Sequence, residues 1–138
     1  MGPGRVRVAR TPPENGHRPA IDPLFRSAAK HYGASATGAI LCGNLDDGSA
    51  GLLAIRRAGG AGAVLDPESC SFGDMPRNAA AIGMPDHVVP VERLGEVLAA
   101  VVRERPATVF PMRAERGEQV LRQAALDSVD RAQETAQG

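Results

Sequence analysis

The feature of this sequence that most restricts its fold is an apolar run that stops in an acidic loop. Residues 37–42 are nearly all apolar, the loop Gly43-Asn44-Leu45-Asp46-Asp47-Gly48 carries two adjacent carboxylates, and a helical pattern begins directly after it. A strand, a loop and a helix in this order form the repeating unit of open α/β sheets, whose ligands gather beyond the carboxyl ends of the strands. The loop after Cys42 is therefore the first place to look for a functional site.

The same alternation of strands and helices continues along the chain. Asp22-Pro23 is a helix-start signal, with the aspartate as cap and proline at the first helical position, and Gly33 ends that helix. Apolar periodicity predicts further strands at 62–65 and 87–89, and helices over 48–57, 77–82 and 94–105. The predicted fold is α/β, a doubly wound and mostly parallel sheet with helices on both faces.

Composition limits the partners and the compartment. The 138 residues include 16 basic and 16 acidic side chains, and this zero net charge argues against a nucleic acid held by general electrostatics. No signal peptide or membrane-inserting segment is predicted. Cys42 and Cys70 have neither CxxC nor metal-ligand spacing, so we expect reduced, half-buried thiols in a cytoplasmic protein.

A change in composition predicts a boundary near residue 106. Residues 1–106 carry the α/β pattern, whereas residues 107–138 are polar and helix-permissive, with only a weak apolar stripe. We interpret residues 107–138 as a C-terminal tail outside the core, either a loose helix or disordered, and able to bind a partner.

The adjacent carboxylates Asp46 and Asp47 admit several interpretations. The spacing from Gly43 to Gly48 matches a phosphate-binding loop, but Ser49 and Ala50 replace the required Lys and Ser or Thr, and two carboxylates would repel the phosphate. Spacing alone favours turn chemistry and an N-cap for the helix after Gly48. The functional alternative is a carboxylate that orients a histidine in a Ser-His-Asp triad. Two aspartates alone make an incomplete metal site, so we predict no metal and no cofactor.

The histidines and the loop serines carry weaker signals. Ser35 follows a predicted helix and precedes a strand, which is the wrong end of the sheet for a nucleophile elbow. His31 suits a helix C-terminus and His87 opens a strand, and neither position demands a functional role. His17, in a loop rich in proline and arginine, is the histidine that we assign to a candidate site.

Five blocks taken together resemble the catalytic domain of the CheB-type chemotaxis protein-glutamate methylesterases. Two of them are long, His17 to Ala29 and Leu41 to Gly51, and the shorter ones follow in the family's order: Gly59-Gly60, Asp66-Pro67 and Met75-Pro76-Arg77-Asn78-Ala79. The resemblance covers roughly residues 5–104, and residues 107–138 fall outside it. It implies a doubly wound domain that hydrolyses γ-glutamyl methyl esters on chemoreceptors with a Ser-His-Asp triad and can deamidate receptor glutamines.

The resemblance also implies roles for individual residues. Asp47, just before the glycine of the Asp-Gly pair, corresponds to the triad acid, and Asp46 is left as turn chemistry. Asn44 stands where some members carry methionine. The residues expected to line the active site are Gly43, Asn44, Gly48, Met75, Pro76, Arg77 and His17.

The family's serine and histidine blocks, a GxSTGG-type turn and a Gln-His-Met-like block, do not occur in this sequence. We therefore interpret the chain as the C-terminal portion of the catalytic domain, with the N-terminal strands missing. A triad acid alone does not hydrolyse an ester, so we expect the isolated chain to be inactive, and its unpaired sheet edge to make it poorly stable. The alternative is a non-catalytic remnant of the fold that binds a receptor or another partner.

Overall fold

The computed structural model describes residues 5–14 and 16–105, and it confirms the alternation of strands and helices. The elements in chain order are α1 (Ile21–Tyr32), β1 (Thr37–Ile40), α2 (Ser49–Arg57), β2 (Ala61–Leu65), α3 (Asp74–Ile82), β3 (His87–Val89) and α4 (Leu94–Arg103). Single 3-10 turns cover Gly33–Ser35, Pro67–Ser69 and Val91–Arg93. Residues 107–138 lie outside the described residues, so the boundary near residue 106 stays a prediction.

The three strands form one parallel sheet in the order β1-β2-β3. Thr37 lies opposite Ala61, and Ala63 lies opposite His87. Because the spatial order follows the chain order, right-handed crossovers place α2 and α3 on the same face of the sheet. All five residues of β2 are buried, and since side chains alternate between faces, both faces of this strand are covered. Helix α4 also contacts β2.

The core is built from small and branched aliphatic residues. Ile40 of β1, Leu52 of α2, Val64 of β2 and Ala79 of α3 form one buried cluster, against which Phe25 of α1 packs. A second cluster continues the packing between α1 and α2, and its members are Ala29, Ala36 and Ile55. These two clusters contain the faces that α1, α2 and α3 bury.

We expect Leu52→Ala to lower the free energy of unfolding by about 3 kcal/mol, because it removes a fully buried side chain and leaves a cavity between α2 and the sheet. Urea denaturation monitored by circular dichroism measures this loss. Leu24→Ala is the matched control, since Leu24 is 47% exposed on α1 and its truncation should cost less than about 1 kcal/mol. Equal losses for the two variants would contradict the core described above.

Several element boundaries differ from the predictions by a few residues, and three of these differences involve residues near the candidate site. The N-cap of α1 is Ala20, so Asp22 lies inside the helix that it was predicted to cap. Helix α3 begins at Asp74, about one turn before the predicted start at Arg77, because proline at position 76 fits the first turn of a helix. Strand β1 ends at Ile40 rather than Cys42, which leaves Leu41 49% exposed.

The prediction of reduced cysteines is wrong in this structure. Cys42 and Cys70 form a disulfide, with their Cα atoms 5.4 Å apart. The two residues are 28 positions apart in the sequence, and they meet because each follows one of the neighbouring strands β1 and β2. Cys42 is exposed rather than half-buried. Disulfides are uncommon in reducing compartments, so the cysteines no longer support a cytoplasmic location. Within residues 5–14 and 16–105, no helix has the length and apolar character to cross a membrane.

Candidate active site

The loops that follow β1 and β2 lie side by side at the carboxyl edge of the sheet. The Gly43 N–H donates to the Phe72 carbonyl at 2.9 Å, and the Met75 N–H donates to the Gly43 carbonyl at 3.0 Å. A Cβ at Gly43 would lie 2.6 Å from the Met75 Cε, so glycine allows this approach. The structure thus brings together Gly43 and Met75, two residues that the sequence analysis assigned to the site.

Asn78 of α3 makes a further bond to the loop that follows β1, and the sequence analysis did not assign it to the site. Its Nδ2 donates to the Leu45 carbonyl at 2.9 Å. Leu45 has φ of 66°, in the left-handed region that branched and bulky residues seldom adopt. The position of Asn78 in the block that begins at Met75 was the available signal, since an amide beside a turn commonly bonds a loop carbonyl.

Asp47 is the buried carboxylate of this edge, with only 4% of its surface exposed. Its Oδ2 accepts the Ile21 N–H at 2.7 Å, and its Oδ1 accepts the Asp22 N–H at 3.1 Å. Both donors belong to the first turn of α1, where backbone N–H groups lack helical partners and the helix dipole favours an anion. The carboxylate is therefore held at both oxygens in one orientation.

This arrangement corrects the prediction that the acidic pair caps the helix after Gly48. The N-cap of α2 is Gly48 itself, a residue that has no side chain with which to cap the helix. Asp47 caps α1 instead, which begins 26 residues earlier in the sequence. Asp46 remains exposed, and its carbonyl accepts the Ser49 N–H at 3.2 Å, as expected of turn chemistry.

Asp22 makes the reciprocal contact with α2. It is 2% exposed, and its Oδ1 accepts the Gly48 N–H at 3.1 Å and the Gly51 N–H at 2.7 Å. Asp47 thus accepts N–H groups at the start of α1, the helix that carries Asp22. Asp22 accepts N–H groups at the start of α2, the helix that follows Asp47. We refer to Asp22, Asp47 and these four backbone N–H groups as the crossed cap.

Glycine is required at two positions of the crossed cap. Gly48 has φ of 97°, and a Cβ there would lie 2.5 Å from the Ile40 Cδ1 of β1 and 3.0 Å from the Ile21 Cγ2 of α1. A Cβ at Gly51 would lie 2.6 Å from the Phe25 Cβ and 3.0 Å from the Asp22 Oδ1. Side chains at either position would therefore push α1 away from α2.

The remaining predicted site residues occupy different environments. Pro76 is buried in α3, and Asn44 is exposed in the loop. Arg77 is exposed and pairs with Asp74 at 3.3 Å, so its charge is partly neutralised within its own helix. His17 exchanges backbone hydrogen bonds with Glu14, and its Nε2 is buried without a hydrogen-bond partner. Within residues 5–14 and 16–105, no cluster of three or more His, Cys, Asp or Glu side chains could hold a metal ion.

Comparison with known proteins places this geometry in a family. The family model described as CheB methylesterase matches residues 3–98. The chain belongs to the CheB methylesterase family. A CheB methylesterase catalytic domain from Thermotoga maritima has a similar structure, with a TM-score of 0.65 and 30% sequence identity, over 67% of this chain and 49% of that domain. The predicted resemblance and the predicted α/β fold class are both confirmed.

Curated relatives carry the name protein-glutamate methylesterase/protein-glutamine glutaminase. One from Burkholderia lata is 47% identical over 95 residues, which are 69% of this chain and 26% of that protein. One from Bordetella pertussis is 45% identical over 100 residues, 72% of this chain and 29% of that protein. This CheB-family chain therefore spans less than a third of the curated relatives that it matches.

Proposed function

We propose that this chain supplies the acid-bearing part of a protein-glutamate methylesterase active site. Asp47 is the triad acid of the proposal, and the observation that carries it is a carboxylate buried at the carboxyl edge of β1 with both oxygens fixed. Each carboxylate oxygen has two acceptor positions, so after bonding α1 the group retains capacity for a histidine N–H. That histidine, and the serine that it activates, come in this proposal from the part of the relatives that the chain does not span.

The proposed reaction is hydrolysis of a γ-glutamyl methyl ester. The serine oxygen attacks the ester carbonyl, methanol leaves with the proton taken up by the histidine, and water then releases the γ-carboxylate and restores the serine. Asp47 orients the imidazole and stabilises its positive charge during both steps. Glutamine deamidation follows the same course with ammonia as the leaving group.

The partners of the proposal are chemoreceptors. The relatives are named for activity on protein glutamate and glutamine, and the CheB family is named for chemotaxis. The Met75 N–H donates to the Gly43 carbonyl, which ties the start of α3 to the loop after β1. In this proposal these two residues and the exposed Asn44 face the receptor segment that carries the ester. We also assign Pro76, Gly48, His17 and Arg77 to the surroundings of this active site. On the family resemblance, and not on the cysteines, we propose that the reaction takes place in the cytoplasm, with no nucleic acid, metal or cofactor in the chemistry.

A chimera tests this proposal. In the Burkholderia lata relative, the matched 95-residue segment is replaced by the corresponding residues of this chain, and methanol release from a methyl-esterified receptor peptide is measured. We expect turnover within about tenfold of the unmodified relative, because residues held by the same fold should place the same acid. A folded chimera that binds the peptide without releasing methanol would contradict the proposal and favour the non-catalytic binding remnant.

A further inference from the structure

The crossed cap joins the backbone at Asp47 to the backbone at Asp22 in both directions. The Asp47 carboxylate accepts the Asp22 N–H, and the Asp22 carboxylate accepts the N–H of Gly48, the residue bonded directly to Asp47. The peptide that follows Asp47 is therefore fixed by Asp22, and the side chain of Asp47 is fixed by the turn that contains Asp22. The Asp47 carboxylate cannot rotate without losing its bonds to the start of α1, and the Asp22 carboxylate cannot rotate without losing its bonds to the start of α2.

The crossed cap is shielded from water. Both carboxylates are at least nine-tenths buried, so water does not compete for the N–H groups that they accept. The close approach of α1 to α2 exists because Gly51 leaves room for the Asp22 Oδ1. Ordinary helix capping needs no such contact, since a residue of the preceding loop normally supplies the cap.

From this geometry we propose that Asp22 is a positioning residue for Asp47. By accepting the Gly48 and Gly51 N–H groups, Asp22 holds the end of the loop that carries Asp47. It thereby fixes the direction of the Asp47 carboxylate. The role rests on the proposed function of Asp47 as the triad acid, but the coupling between the two aspartates is a property of this chain and can be measured without activity.

Amide hydrogen exchange in the 138-residue chain measures that coupling. The informative amide is that of Ile21, because it donates to the Asp47 Oδ2. In Asp22→Ala we expect the Ile21 amide to exchange at least about tenfold faster relative to the Val64 amide of the buried strand β2, because Asp47 is no longer held. Asp22→Asn should keep the protection, since its Oδ1 can still accept both N–H groups.

A merely structural cap gives a different result. If Asp22 only caps α2, Asp22→Ala speeds exchange at Gly48 and Gly51 and leaves Ile21 unchanged relative to Val64, which overturns the proposal. Unprotected Val64 in the unmodified chain would also overturn it, because the fold on which it rests would not exist. Asp46→Ala is the matched control, since the exposed Asp46 side chain takes no part in the crossed cap, and it should leave Ile21 unchanged.

Kinetics in the chimera separate failure of this inference from failure of the proposed function. We expect Asp22→Ala to lower kcat about a hundredfold with KM nearly unchanged, and Asp22→Asn to restore most of kcat. If Asp47→Ala abolishes turnover while Asp22→Ala keeps kcat, Asp22 is not a positioning residue and the function of Asp47 stands. If turnover survives Asp47→Ala, the proposed function itself fails.

Discussion

Replacing Asp47 by alanine in the chimera is expected to lower kcat by about 10⁴-fold. A triad acid holds the histidine in the correct tautomer and stabilises the imidazolium, and its loss typically has an effect of this size. The matched comparison is Asp46→Ala, which removes the neighbouring but exposed carboxylate and should cost far less. A larger loss for Asp46→Ala than for Asp47→Ala would show that the wrong member of the pair is assigned.

The same substitution should also destabilise the fold, and the two effects must be measured separately. Alanine at position 47 leaves the buried Asp22 N–H without its acceptor, which costs about 1–3 kcal/mol, and the partly buried Ile21 N–H adds a smaller loss. Urea denaturation gives this loss, and rates should be expressed per folded molecule. If the fall in kcat disappears after that correction, Asp47 has only a structural role.

Reduction of the Cys42–Cys70 disulfide is expected to lower the free energy of unfolding of the 138-residue chain by about 3–4 kcal/mol. The bond closes a loop between positions 28 residues apart, and the loop-closure entropy of the unfolded chain gives this value. Thermal denaturation with and without a dithiol reductant measures the effect, and we expect the midpoint to fall by roughly 10 °C or more.

The Cys42→Ser, Cys70→Ser double variant is the control for this measurement. It should unfold at the midpoint of the reduced chain and should not respond to reductant. A chain whose midpoint is the same in both conditions, although thiol titration confirms that the bond has been reduced, would contradict the expected stabilisation. Since the bond joins the loops of the candidate site, reduction should also increase hydrogen exchange at Gly43.

Local pattern was sufficient to predict the fold class. The apolar runs at 37–42 and 62–65 predicted β1 and β2, although β1 ends two residues early, and Gly33 marks the end of α1. Each of these signals depends on residues close together in the chain. The blocks that resemble the CheB family also located the loop from Gly43 to Asp47. The parallel pairing followed from the alternation, since parallel neighbours require helical crossovers.

The contacts that organise the candidate site were not predictable in the same way. Asp22 and Asp47 each carry a sound local signal for capping an adjacent helix, yet each bonds the other's helix from about 25 residues away. Capping preference identifies a residue type beside a helix start and does not say which helix is reached. The pairing of Cys42 with Cys70 was missed for a related reason, because it depends on which strands are neighbours and not on spacing.

The crossed cap has a consequence for the order of folding. Helix α1 has 12 residues and α2 has nine, and isolated helices of these lengths are marginal in water. The Ile21 and Asp22 N–H groups of α1 are accepted by Asp47, and the Gly48 and Gly51 N–H groups at the start of α2 are accepted by Asp22, so these four groups lack their acceptors until the two helices meet. The helices should therefore form in one cooperative event, with a transition state in which residues 21–22 and 47–51 are already in contact.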